Sequence, residues 1–331
     1  MKTCLRSLPL AALLLVPAAC TSTGNPGLAA YQAGHFESAL SIWSAEAEAG
    51  DAQARFLVGS LHETGQGTEA DPWMAAHWYR LAAEQGHPAA QTNLGMLLVR
   101  GEGTRRDPVE AAAWFEAAAD QGVTEAQFDL GTMLLVGDGI EASPERAVDL
   151  LRRAARKDHV EAAYLLGLAH TGDLGLERDS RLAVRWMRAA AEAGHAASRH
   201  LLGTWYLEGS HLPQSDPIAY KWLERSADQG RAEAQYLVGW MHHAGRGVAQ
   251  DQELAALWIG RAADQGLPVA QTNLALMHLR GQGVATSAER AEDLLVAAAV
   301  QDFDLAERNL ELLRAKGWAT GDADLALADE R

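Results

Sequence analysis

The chain has 331 residues, 48% of them hydrophobic, 6% aromatic, with a formal net charge of −16. That apolar content excludes a disordered, collagen-like or mucin-like chain, because it can bury a sizeable core. The acidic balance argues against nucleic acid as a partner, which needs a basic face, and the two cysteines cannot build a disulfide framework.

Lys2 and Arg6 precede a short apolar run from Leu8 to Val16, followed by Pro17-Ala18-Ala19-Cys20. The run is too short to span about 30 Å of hydrocarbon and reads as a secretory signal peptide over residues 1–19. The small residues ending in Cys20 resemble the lipobox of bacterial lipoproteins, although Pro17 stands where that motif prefers leucine. The resemblance implies a lipidated Cys20 at the start of the mature chain. Ordinary cleavage after Ala18 is the alternative, with Cys20 left as a free thiol. Residues 20–27 are small, polar and rich in breakers, as suits a flexible tether. Loss of residues 1–19 removes Lys2, Arg6 and no carboxylate, taking the charge from −16 to −18.

Length alone suggests two domains, but a repeat of 36 residues overrides that prior in favour of one array. Gly50, Gly86, Gly122, Gly194, Gly230 and Gly266 lie at that period or a multiple of it, with Asp158 and Asp302 filling the vacant terms. Gly59, Gly95, Gly131, Gly167, Gly203 and Gly239 form a second column, ending in Ala275. The alanine columns beginning at Ala39 and Ala47 are unbroken. Each copy reads as two helices separated by a Gly-x-Gly turn. Asp71, Asp107, Ser143, Asp179, Ser215, Asp251 and Ser287 are the expected N-caps of the second helices. Their expected end is the column of Gly86, which needs a left-handed turn. The alanines let helices approach closely, and the tryptophan column of Trp78, Trp114, Trp186, Trp222 and Trp258 is expected to fill the core between them.

These columns resemble the Sel-one-like repeat family, relatives of the tetratricopeptide repeat. The resemblance covers most of the chain and implies an all-α, right-handed α-solenoid of stacked antiparallel helix pairs. Residues 28–50 read as an N-terminal half repeat, 51–302 as seven full repeats, 303–316 as a capping helix and 317–331 as an acidic tail. Two copies depart from the pattern: Thr171–Gly175 distorts the turn of the fourth, and Ser210-His211-Leu212-Pro213 replaces that of the fifth.

No phosphate-binding loop, nucleophile elbow or zinc helix occurs in the sequence. His62, His170, His242 and His278 share an otherwise apolar column and read as half-buried packing rather than metal ligands. No catalytic, cofactor or metal residue is therefore assigned, and no cofactor is expected. Some members of the family bind or hydrolyse β-lactams, but they carry a cysteine pair in each repeat and this chain does not. In related tetratricopeptide arrays the first helices line a concave groove. Carried onto this chain, that face contains Phe56, Phe128, Tyr164, His200, Tyr236, Trp240 and His243, aromatic and amphipathic side chains of the kind that anchor interfaces. The expectation is a non-enzymatic envelope scaffold with a basic or polar protein partner, touching the membrane only through Cys20. Its place is then the periplasmic face of the outer membrane, or, unlipidated, the periplasm or exterior. The alternatives are a periplasmic regulator that represses a sensor or enzyme by binding it and, less favoured, a β-lactam or cell-wall hydrolase.

Overall fold

A computed structural model describes residues 25–174 and 176–316, and these form seventeen helices and no strand. The signal segment, Cys20, most of the tether and the acidic tail lie outside the described residues, as does Gly175. The chain divides into two compact units that meet in sequence at Glu177 and Arg178. That boundary falls inside the fourth repeat, beside its distorted turn. The first unit holds α1 (Pro26–Gln32), α2 (Phe36–Glu48), α3 (Ala52–Thr64), α4 (Pro72–Ala83), α5 (Pro88–Arg100), α6 (Pro108–Asp120), α7 (Thr124–Val136), α8 (Pro144–Ala155) and α9 (Val160–Ala169). The second holds α10 (Ser180–Glu192), α11 (Ala196–Glu208), α12 (Asp216–Ala227), α13 (Ala232–Ala244), α14 (Gln252–Asp264), α15 (Pro268–Arg280), α16 (Ala288–Ala299) and α17 (Asp304–Lys316).

Within each unit the helices stack as antiparallel pairs, the α-solenoid expected from the repeat. The first helix of a repeat packs along its own second helix and then against the second helix of the preceding repeat, as α5 does on α6 and α4. The glycine column makes the first contact possible. A Cβ on Gly95 would sit 2.7 Å from the Phe115 ring, so any larger residue would force the pair apart. The Gly-x-Gly turn makes the second contact. Gly101 caps α5 in a left-handed conformation (φ 70°), and Gly103 lies so close to the first turn of α4 that a Cβ would overlap the Pro72 carbonyl. Thus the spacing of two glycines joins one repeat to the next.

The caps follow the expected column, though not all by the same chemistry. Asp71, Asp107, Asp179, Asp251 and Ser287 accept amide hydrogens of their first turns, whereas Ser143 and Ser215 make no side-chain cap bond. In the fifth repeat the carboxylate moves one place on to Asp216, which takes Arg246 of the next repeat through two bonds of 2.7 and 2.9 Å. The chain turns with positive φ at Asp158 (63°) and Asp302 (57°), the only non-glycine residues to do so among those described.

Two expectations need correction. The N-terminal half repeat has a first helix of its own: α1 starts at Pro26 inside the expected tether, is capped by Asn25, and buries Gly27 beneath Trp43. The tryptophan column is also only half-buried. The fully buried column is its neighbour, Tyr79, Phe115, Leu151, Met187, Leu223, Ile259 and Leu295, which faces the glycines. The tryptophans instead carry cations at the rim, with Arg185, Arg225 and Arg261 over Trp186, Trp222 and Trp258 at 5.5, 5.2 and 4.4 Å.

Candidate partner-binding face

The seven residues assigned to a partner lie on five first helices, α3, α7, α9, α11 and α13, and their rings differ sharply in accessibility. Phe56 is 1% exposed, stacked on Tyr79 at 5.7 Å and on His87 at 4.8 Å. Tyr236 is 0% exposed, and its hydroxyl accepts Asn273 Nδ2 at 2.8 Å. Both rings therefore belong to the core and present no surface to a ligand, which corrects their assignment. Phe128, Tyr164, His200, Trp240 and His243 are half-buried. Phe128 stacks on His159 at 4.4 Å. Arg246 lies 5.1 Å from the Trp240 ring, held there by Asp216. His243 Nδ1 is 2.7 Å from Gln252 Oε1.

Burial controls the titration of the imidazoles of His200, His87 and His159. It drives His200 down to about 4, with Arg231 adding to the effect and Glu233 opposing it. His87 and His159 are lowered by burial as well, against the pull of nearby carboxylates. The sequence reading missed their role. His87, His159 and His195 are the N-caps of α5, α9 and α11, each accepting an amide hydrogen on Nδ1 at 3.2 Å. Their place just after the left-handed turn residue, Gly86, Asp158 or Gly194, is visible as a column, but histidine is not among the usual capping residues.

One carboxyl group is buried within these helices. Asp129 of α7 is 5% exposed and its carboxyl is pushed up to about 8, mainly by burial, with Glu125 adding to it and Arg100 opposing it. Its column otherwise holds Leu57, Asn93, Leu165, Leu201, Leu237, Asn273 and Asn309. His242 packs edge-on to Tyr220, its Nε2 3.2 Å from the hydroxyl, as expected of a packing column. No group of three or more metal-ligating side chains converges among the described residues. No helix among them is long and apolar enough to cross a membrane.

The model of the Sel1 repeat matches residues 52–87, 88–123, 124–159, 160–195, 196–230, 232–267 and 268–302. The chain belongs to the Sel1 repeat family, whose repeats form protein-interaction scaffolds and are typically non-catalytic. It is similar to the structure of a protective antigen of uropathogenic Escherichia coli strains displaying an SLR fold, with 28% identity and a TM-score of 0.77. That match covers 85% of this chain but 61% of the antigen, so the chain spans less than two thirds of the antigen's length. A Sel1 repeat protein from Oxalobacter formigenes is 30% identical with a TM-score of 0.73, over 87% of this chain and 86% of that one. No curated protein matches the chain.

Proposed function

We propose that this chain is a non-enzymatic scaffold of the bacterial cell envelope, anchored through a lipidated Cys20 and holding a protein partner on its first helices. The observation that supports the reading is a contrast between columns. The glycine and alanine columns repeat from copy to copy, whereas the half-buried first-helix positions change from Phe128 to Tyr164, His200 and Trp240. Packing demands the constancy, and recognition is what variation on a fixed frame serves. The partner contacts would be Phe128 and Tyr164 on the first unit and His200, Trp240 and His243 on the second, each unit taken by itself, and the acidic chain would favour a basic or polar partner.

The test is affinity capture from envelope extracts with wild type and a Tyr164→Ala/Trp240→Ala variant. Both rings are half-buried, so the variant should fold and lose a partner that wild type retains. A folded variant that keeps every partner overturns the assignment of this face. For the anchor, palmitate labelling of wild type and Cys20→Ala is decisive: label on wild type alone is expected, and an unlabelled wild type rejects the tether.

A further inference from the structure

A cluster of positive charge in this acidic chain sits on a second helix, away from the first-helix face. On α10, Arg181, Arg185 and Arg188 stand at i, i+4 and i+7 and so share one face of the helix. All three are exposed, and none forms an ion pair among the described residues. Arg185 lies over Trp186 and Arg188 donates to the Tyr206 hydroxyl at 3.2 Å. In the first unit the outer charges of successive second helices cancel at a separation of 30 residues, Arg80 with Glu110 and Glu116 with Arg146. Thirty residues after Arg188 stands Ile218 instead. Like charges one turn apart repel, and Arg181 also opposes the dipole of the first helical turn. Local stability therefore does not account for the cluster.

The neighbouring turn accounts for the space beside it. In the other described repeats with a Gly-x-Gly turn, the second glycine lies against the first turn of the preceding second helix, as Gly103 does on Pro72. In the fifth repeat His211 takes that position. It does not adopt positive φ, so the turn follows another path. His211 is fixed by Trp205, 4.4 Å between rings, and by Ser180 Oγ, 3.2 Å from Nδ1, while Arg178 donates to the Ser210 carbonyl at 3.0 Å. Between this turn and α10 lies a cavity of about 630 Å³, lined by the three arginines, His211 and Leu212, with Glu192 as its one carboxylate. Every lining residue belongs to the second unit.

We propose that this cavity is a docking groove for an acidic peptide segment of a partner protein, whose carboxylates are taken by Arg181, Arg185 and Arg188 while an apolar side chain rests on Leu212. Arg188 stands seven helical steps beyond Arg181, a rise of about 10 Å, or about three residues of extended chain. A peptide with alternate carboxylates can reach all three guanidiniums at once, which a single small anion cannot. The groove lies off the first-helix face and does not depend on the partner proposed there.

Fluorescence anisotropy with the purified chain tests the proposal, using a labelled octapeptide of alternating Glu and Ala and a control with Gln for Glu. The Glu peptide should bind, more weakly as salt rises, and the Gln peptide should not. Arg181→Gln/Arg185→Gln/Arg188→Gln should weaken binding at least about tenfold, whereas Arg146→Gln in the first unit should not. His211→Gly restores the glycine of the column and should also reduce binding with all three arginines in place. Equal binding of the Gln peptide, or unchanged binding by the folded triple variant and by His211→Gly, overturns the proposal. So does retention by phosphatidylglycerol vesicles, or saturation by inorganic phosphate, without any binding of the Glu peptide.

Discussion

The imidazole of His87 lies on the phenyl ring of Phe56, 4.8 Å between centroids and 15° from parallel, while its Nδ1 accepts the Ala90 amide at 3.2 Å. One residue thus closes the start of α5 and covers the core of the preceding repeat. Phe128 and His159 do the same for α9. The cap requires a neutral ring with an unprotonated Nδ1. The opposite nitrogen of His87, Nε2, faces Gln53 Oε1 at 3.0 Å.

Acid should therefore loosen the fold at these histidines. Burial lowers His87, His159 and His200 below their ordinary value of 6.5, despite Asp51 beside His87 and Glu125 and Glu161 beside His159. A base whose folded pKa is depressed leaves the unfolded chain binding more protons, so stability falls with pH. The loss begins near pH 6.5 and, for His200, ends near 4. Between pH 7.5 and 4.5 wild type should lose about 1–3 kcal/mol more than His87→Asn/His159→Asn/His200→Tyr, in which asparagine supplies a cap that does not titrate. Denaturant unfolding across the pH range measures the difference, and parallel pH profiles would refute it.

Asp129 works in the opposite direction. Its folded pKa is raised from 3.8 to about 8, so its stabilising effect is complete below pH 3.8 and is lost as pH rises through 8. Asp129→Asn places in α7 the residue that the same column carries at Asn93 and Asn273. The variant should be more stable than wild type at pH 8, by an amount on the order of a few kcal/mol that shrinks toward pH 4. Thermal melts of both proteins at the two pH values provide the check.

Two glycines with similar left-handed geometry should differ in their tolerance of alanine. At Gly86 (φ 86°) no atom lies within 4 Å of a new Cβ, so Gly86→Ala should cost about 1 kcal/mol, the penalty of the backbone conformation alone. At Gly103 (φ 62°) the Cβ would meet the Pro72 carbonyl. Gly103→Ala should cost about 3 kcal/mol or more, because the first turn of α4 must move. Equal midpoints in urea for the two variants would show that the turn does not join the repeats.

The aspartates at the left-handed position offer the reverse experiment. Asp302→Gly and Asp158→Gly relieve φ values of 57° and 63°. Each should raise stability by about 0.5–1 kcal/mol, offset in part by the greater freedom of glycine in the unfolded chain. An increase in Tm for either single variant is the expected reading.

Packing made much of this fold legible in the sequence. Gly95 and Ala111 recur because close helix contact excludes larger residues in every copy, and Asp107 recurs because each second helix leaves amides to cap. The candidate face was less legible, because one column has different neighbours in different repeats. Phe56 is sealed between Tyr79 and His87, whereas Phe128 in the same column stacks on His159 and stays half-buried. Tyr236 turns inward to meet Asn273, a residue 37 places along. No periodicity of a single helix reports such a partner. The groove on α10 was overlooked for a related reason: the whole-chain charge of −16 conceals three arginines on one helix face.

The side chain of Gln121 reaches back to the carbonyl of Gly86 at 3.1 Å and to Gln91 Oε1 at 2.8 Å, and Gln301 repeats both bonds to Gly266 and Gln271. The bonds to Gly86 and Gly266 each cross to the preceding repeat at the same place in the motif, so a 36-residue length of chain can be exchanged for its neighbour without a change of joint. If residues 88–123 were excised, His87 would stand before Thr124 where it now stands before Pro88, and the stack would close over the gap. The length of the scaffold is then a quantity that duplication and deletion can adjust in whole modules, separately from the chemistry displayed on each one.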